Sequence, residues 1–127
     1  MDKATMVSAD ITKGSEILNA LERAKVRVSV ALWAFLSEYE DWRFIVSSRQ
    51  FDSSDLRDAY GLLHDSLAPA GFVPRNTPPI MILQSKDPFI RELRKIIGKT
   101  KSVEGMRLGG QMFGGRFVED AYVYQIS

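Results

Sequence analysis

Arg107, Asp120, Tyr122 and Tyr124 are the residues whose types and spacing first suggest chemistry in this chain. In the segment Gly105 to Ile126, Gly114-Gly115 reads as a two-residue turn, because glycine supplies the positive φ that both central positions of such a turn require. Counting outward pairs Met112 with Phe117, Leu108 with Ala121 and Met106 with Val123 on one face. The other face then carries Arg107, Gln111, Arg116, Asp120, Tyr122 and Tyr124. Arg107 falls opposite Tyr122 and diagonal to Asp120 or Tyr124, within reach of long side chains across a sheet. A guanidinium beside two phenols could bind an anionic or planar ligand. The commoner arrangement is a solvated sheet face with a surface ion pair.

A second candidate is basic. Lys86, Arg91, Arg94, Lys95, Lys99, Lys101, Arg107 and Arg116 oppose only Asp87, Glu92 and Glu104, a local excess of five positive charges. Arg91, Arg94, Lys95, Lys99 and Lys101 form its dense part. Such a patch suits phosphate or nucleic acid, but it also complements the dipole at the end of a helix, and no recognised nucleic-acid motif accompanies it. Nucleic acid is therefore a minority partner. Glu38, Glu40 and Asp41 crowd one loop with oxygen ligands of the kind hard cations prefer, yet their spacing matches no calcium loop, and no metal site is assigned. His64 flanks an apolar helical stripe without a visible triad. Gly109-Gly110 and Gly114-Gly115 lack the lysine and the strand-loop-helix context of a phosphate loop. No cofactor is expected.

Composition limits the classes. The chain has 127 residues, 45% hydrophobic and 26% charged, with a net charge of +1, so no overall field steers it to nucleic acid or an anionic membrane. Cysteine is absent, which removes thiolate nucleophiles and thiolate zinc sites, and a single histidine removes a histidine-rich metal site. The opening residues lack the apolar core of a signal peptide, and no apolar run approaches the roughly 20 residues of a membrane helix. A cytoplasmic location without membrane contact is expected.

These candidates need elements to position them. Ile17, Ala20, Leu21 and Ala24 recur at helical spacing and predict a helix over about residues 9–25. From Val26 the period changes to two, giving a strand with Val26, Val28, Val30, Leu32, Ala34 and Leu36 on one face and Arg27, Ser29, Ala31, Trp33 and Phe35 on the other. A five-residue loop over 37–41 would pair Leu36 with Trp42 and Ala34 with Phe44, and apolar residues on both faces predict a hairpin covered on both sides. Asp52, Ser53 and Ser54 offer caps for a second helix with a Leu56, Tyr60, Leu63 and Leu67 stripe, ended by Pro69. Ile80 to Leu83 is a short buried strand. Asp87-Pro88 opens a third helix, with the stripe Phe89, Leu93, Ile96 and Ile97, and Gly98 closes it. The order is α-β-β-α-β-α-β-β: a single α+β domain over residues 1–127, with a mixed or antiparallel sheet of about five strands and three helices.

The pattern MVSADITKGSEILNALERAKVRVSVALWAFLSEYEDWRFIVSS at Met6 to Ser48, with VEDAYVYQI at Val118 to Ile126, resembles a family of small bacterial proteins without established activity. The resemblance implies a bacterial cytosolic protein and brings no catalytic residues. On the residues themselves, a binding or assembly module is the first functional reading. A metal-dependent nuclease or other phosphate-processing protein is the alternative, which leaves enzymatic activity open. A homodimer is also expected, through edge pairing on an unpaired last strand or through face packing, with Phe117, Tyr122, Tyr124 and Ile126 at the interface.

Overall fold

The computed structural model describes residues 8–52, 55–73, 75, 77–98 and 104–127. Among them, α1 (Ser8–Arg23) leads to β1 (Val30–Leu36) and β2 (Asp41–Ser47), then α2 (Arg49–Asp52), α3 (Leu56–Leu67) and β3 (Ile80–Ile82). After α4 (Pro88–Ile97) come β4 (Met106–Leu108), β5 (Gln111–Phe113) and β6 (Arg116–Ile126). The fold is α+β, and its strands form one mixed sheet in the order β3-β2-β1-β6-β4, with β5 also on β6. All pairs are antiparallel except β2 with β3, which run parallel because α2 and α3 carry the chain back between them. The short α2 and the division of the last hairpin's first arm into β4 and β5 are additions to the expected order.

Both faces of the sheet are buried, as the doubly apolar hairpin requires. Val30, Leu32, Ala34 and Leu36 join Ile45, Val118, Ala121 and Val123 beneath α4, which contributes Phe89, Ile90, Leu93 and Ile97. Ala31, Trp33 and Phe35 join Trp42, Phe44 and Val46 beneath α1 and α3, which contribute Ile17, Ala20, Leu21, Ala59, Leu63 and Leu67. The first strand begins at Val30 and not at Val26, and Val26 and Val28 pack with the core opposite that of Val30 and Leu32. The register of β1 with β2 differs by one residue from the expectation. Leu36 pairs with Asp41, Phe35 with Trp42 and Trp33 with Phe44, because the loop holds four residues and Glu40 closes it with φ 51°. A non-glycine residue in the left-handed region is uncommon, so nothing in the residue type marks the shorter loop. The corrected register stacks Trp33 on Phe44 at 5.1 Å and Phe35 on Trp42 at 5.7 Å.

The terminal hairpin has the expected pairs, Met106 with Val123, Leu108 with Ala121 and Met112 with Phe117, and Gly114 and Gly115 hold φ 55° and 85°. The expected shared face holds for Met106, Leu108, Ala121 and Val123, which lie on the α4 side, but not for Met112 and Phe117. Register shifts against β1 occur between Phe35 and Leu36 and between Ala31 and Leu32, and each turns the alternation of β6 over. Phe113 and Val118 therefore enter the core, while Met112 and Phe117 are exposed. Moreover, β6 lies between β1 on one side and β4 with β5 on the other, so the unpaired edge expected for dimerisation is not there. Ile126 is buried, and Tyr122 and Tyr124 pack against the α1 side of the core. Of the four residues expected at an interface, Phe117 alone is a free surface residue.

Local signals fix the helix ends. The Asp87 carboxylate accepts from Phe89 N at 2.9 Å with Pro88 in the first turn, so α4 starts where expected. Asp55, and not Asp52, caps α3 by accepting from Asp58 N; the other expected caps, Ser53 and Ser54, lie outside the described residues. Asp52 instead accepts from Ser85 N at 2.8 Å and ties α2 to the turn before α4. Two stripe residues change: Ile96 and Leu56 are 56% and 51% exposed, and Ile90 and Ala59 take their places in the core. No helix among the described residues is long and apolar enough to cross a membrane.

Candidate functional site

The sequence-predicted cluster on the last hairpin is only partly assembled. Arg107 Nη2 donates to Asp120 Oδ2 at 2.7 Å, the diagonal contact expected from the register. Tyr122 lies opposite Arg107, as the register requires, but both tyrosines pack against the α1 side of the core. Tyr122 and Tyr124 meet edge to face at 5.1 Å, and Tyr124 packs on Phe44 at 5.7 Å. The Tyr124 hydroxyl donates to the Ile11 carbonyl at 2.6 Å, and Trp33 Nε1 donates to the Asp10 carbonyl at 3.2 Å. Both contacts anchor the first turns of α1 to the sheet. Burial pushes the Tyr124 phenol up to about 12, because the charged form loses hydration, with lesser contributions from Tyr122 and Asp10. Tyr124 is thus a neutral packing residue.

Two of the three acids of the first hairpin loop, Glu38 and Asp41, are engaged with cations of the chain itself. Glu38 accepts from Arg116 Nη1, and Asp41 accepts from Arg43 Nη1 at 3.2 Å, while Arg43 lies 4.8 Å over the Tyr39 ring. Burial works against the charge on Arg116, but hydrogen bonds with Tyr39 and Glu38 outweigh it and raise the guanidinium above its ordinary value. Among the described residues, no three His, Asp or Glu side chains gather as a metal site. His64 is exposed near the end of α3.

The basic segment does not form one surface. Lys99 and Lys101 lie outside the described residues. Arg107 and Arg116 are in ion pairs with Asp120 and Glu38. Arg91 and Lys95 line a shallow hollow with Glu92 and Ile96. Arg94 belongs to different company: it meets Arg27 and Arg49 around a cavity of about 330 Å³, together with Ser29, Ser48, Gln50 and Ser127.

This cavity lies at the end of the sheet where β1 begins and β2 and β6 finish, and a hydrogen-bonded frame holds its walls. Ser29 N donates to the Ser47 carbonyl at 2.8 Å, and Ser127 N donates to the Ser29 carbonyl at 2.9 Å. Ser48 is fully buried, and its Oγ accepts from Gln50 N at 3.2 Å. The Gln50 side chain reaches back to the strand entrance: Oε1 accepts from Arg27 N at 2.7 Å, and Nε2 donates to the Lys25 carbonyl at 3.3 Å. Lys25 has φ 64°, a turn that brings the chain off α1 and into position for Arg27. Arg27 and Arg49 are thereby linked through one amide group, while α4 brings Arg94 from the neighbouring layer.

Charge distinguishes this cavity from the other candidates. Among the described residues, no Asp or Glu lines it, and Arg27, Arg49 and Arg94 form no ion pair. Like charges that line one cavity repel one another, a cost that a bound anion would relieve. Guanidinium forks and serine hydroxyls are matched to oxyanions, which accept several hydrogen bonds at once. Sequence reading named Arg94 but not its partners, since residues 27, 49 and 94 share no spacing or motif. No family model, curated protein or solved structure matches the chain.

Proposed function

We propose that this chain is a small binding module that holds an anionic ligand between Arg27, Arg49 and Arg94. The observation that carries the reading is that Arg27, Arg49 and Arg94 line one cavity with no ion pair and no Asp or Glu in its lining among the described residues. Binding is favoured over catalysis because the polar residues around the cavity make positioning contacts. Gln50 holds Arg27, Ser48 caps α2 and Ser127 closes on Ser29, an arrangement suited to a fixed receptor. Absence of cysteine suits a reducing compartment, and we place the module in the cytoplasm on that ground.

Calorimetric titration with inorganic phosphate at low ionic strength tests the reading. A hydrogen bond to a charged group contributes about 1.5–3 kcal/mol, so Arg94→Ala should weaken binding by roughly tenfold or more. Added salt should weaken it further, since the guanidiniums are partly exposed. No heat of binding at millimolar phosphate, or equal binding by the wild type and Arg94→Ala, would refute the assignment.

A further inference from the structure

The arginine cavity adjoins a second and larger one. It has a volume of about 520 Å³ and shares Arg27 and Val28 with the first. Leu18, Val26 and Val28 give it apolar carbon, while Glu22, Lys25 and Gln125 give it polar groups. Its walls are fixed without a ligand: Val26 N donates to the Leu21 carbonyl at 2.9 Å, Lys25 N to the Glu22 carbonyl at 2.9 Å, and Gln125 Nε2 to the Val28 carbonyl at 2.7 Å. Little ordering would oppose binding in a hollow held in this way. Each cavity is also larger than a single oxyanion, since a water molecule occupies about 30 Å³ of liquid volume.

We propose that the ligand is a phosphate monoester, with its phosphate held by Arg27, Arg49 and Arg94 and its organic body laid in the hollow lined by Leu18, Val26 and Val28. This rests on the anion-binding reading above and adds the class of ligand. Phosphate is selected over carboxylate by number. A monoester offers three free oxygens and a charge of about −1.5 to −2 near pH 7, enough for each of three guanidinium groups to take an oxygen. A carboxylate offers two oxygens and one charge. Leu18, Val26 and Val28 offer the apolar contact that the organic body needs, and Gln125 and Lys25 offer polar groups to orient it. Arg27 stands at the junction, so one residue contacts the head and borders the body.

Calorimetry with inorganic phosphate, phenyl phosphate and benzoate separates the two levels. Phenyl phosphate should bind at least tenfold more tightly than phosphate, and benzoate at least tenfold more weakly than phenyl phosphate. Leu18→Trp, which fills the second hollow from a half-buried position on α1, should bring the ratio of phenyl phosphate to phosphate affinity down towards one. Leu18→Gln is the milder variant if tryptophan disturbs the fold. Equal affinity for phosphate and phenyl phosphate, or a phenyl advantage untouched by both substitutions, would overturn the two-part ligand while leaving the arginine site standing. Benzoate matching phenyl phosphate would overturn the phosphate assignment. Failure of all three probes to bind would overturn the anion reading itself.

Discussion

Gln50 and Arg27 are joined by a 2.7 Å hydrogen bond from the Arg27 backbone amide to the Gln50 side-chain oxygen, across 23 positions of sequence. The same amide group donates to the Lys25 carbonyl, so one side chain from α2 sets the path by which the chain enters β1. Arg27 then faces the cavity that Arg49, the residue before Gln50, also lines. Gln50→Leu keeps the approximate volume and removes both contacts. Phosphate affinity should fall several-fold, by about 1 kcal/mol for a hydrogen bond of this kind, while the melting temperature changes little because Gln50 is exposed. Calorimetry together with a thermal melt checks this, and a large loss of stability with unaltered affinity would contradict it.

Tyr124 should be the last tyrosine to ionise. Burial favours the neutral phenol, so the folded protein holds this proton to about pH 12, whereas an unfolded chain loses it near pH 10. A group shifted upward contributes stability that is complete below about pH 10 and is lost as the pH rises through the folded value of about 12. Ultraviolet titration of the four tyrosines should show a late step that is missing in Tyr124→Phe. A single transition near pH 10, identical in the variant, would show that this side chain is not held as described.

Gly14→Ala should destabilise the protein although alanine is the better helix former. A methyl group there would lie 2.7 Å from Tyr124 Cζ and 2.9 Å from Trp33 Nε1, against two rings that are already hydrogen-bonded to the first turns of α1. The propensity gain is roughly 1 kcal/mol, and overpacking costs about 1–3 kcal/mol. Denaturant unfolding should give a net loss of up to about 2 kcal/mol. An increase in stability would mean that α1 sits further from the sheet.

The basic residues should give only weak, salt-sensitive binding to duplex DNA. Arg107 and Arg116 already have carboxylate partners, and Arg94 is in a different cavity from Arg91 and Lys95. Few phosphates can be met together, and affinity from counterion release falls steeply with salt. Fluorescence anisotropy at two salt concentrations measures it. Tight binding that persists at high salt and disappears on reversing the charge of Arg91 and Lys95 would restore the basic segment as a nucleic-acid surface.

Much of the architecture was legible because its signals are local. Asp87-Pro88 marks the start of α4 within two residues, and Gly114-Gly115 marks a turn whose conformation few other pairs adopt as readily. What escaped depends on features with no residue signature. Glu40 adopts a left-handed conformation without being glycine, and this shifts the first hairpin by one residue. Tyr122 and Tyr124 keep the face opposite Ala121 and Val123, as simple alternation requires, but that face is packed against the core under α1 and is not a solvated polar face, a cover that no residue of β6 announces. The candidate site was the least legible part. Its three arginines come from the entrance to β1, the start of α2 and the middle of α4, and only the stacking of layers brings them together.

The most direct test of the anion site is an amide chemical-shift map of the isotope-labelled protein titrated with inorganic phosphate. The expected result is a saturable set of shifts confined to residues 27–29, 48–50, 94 and 125–127, lost in Arg94→Ala. Shifts centred instead on the Arg107 and Asp120 hairpin, or no saturable shift anywhere, would contradict the assignment of the anion to Arg27, Arg49 and Arg94.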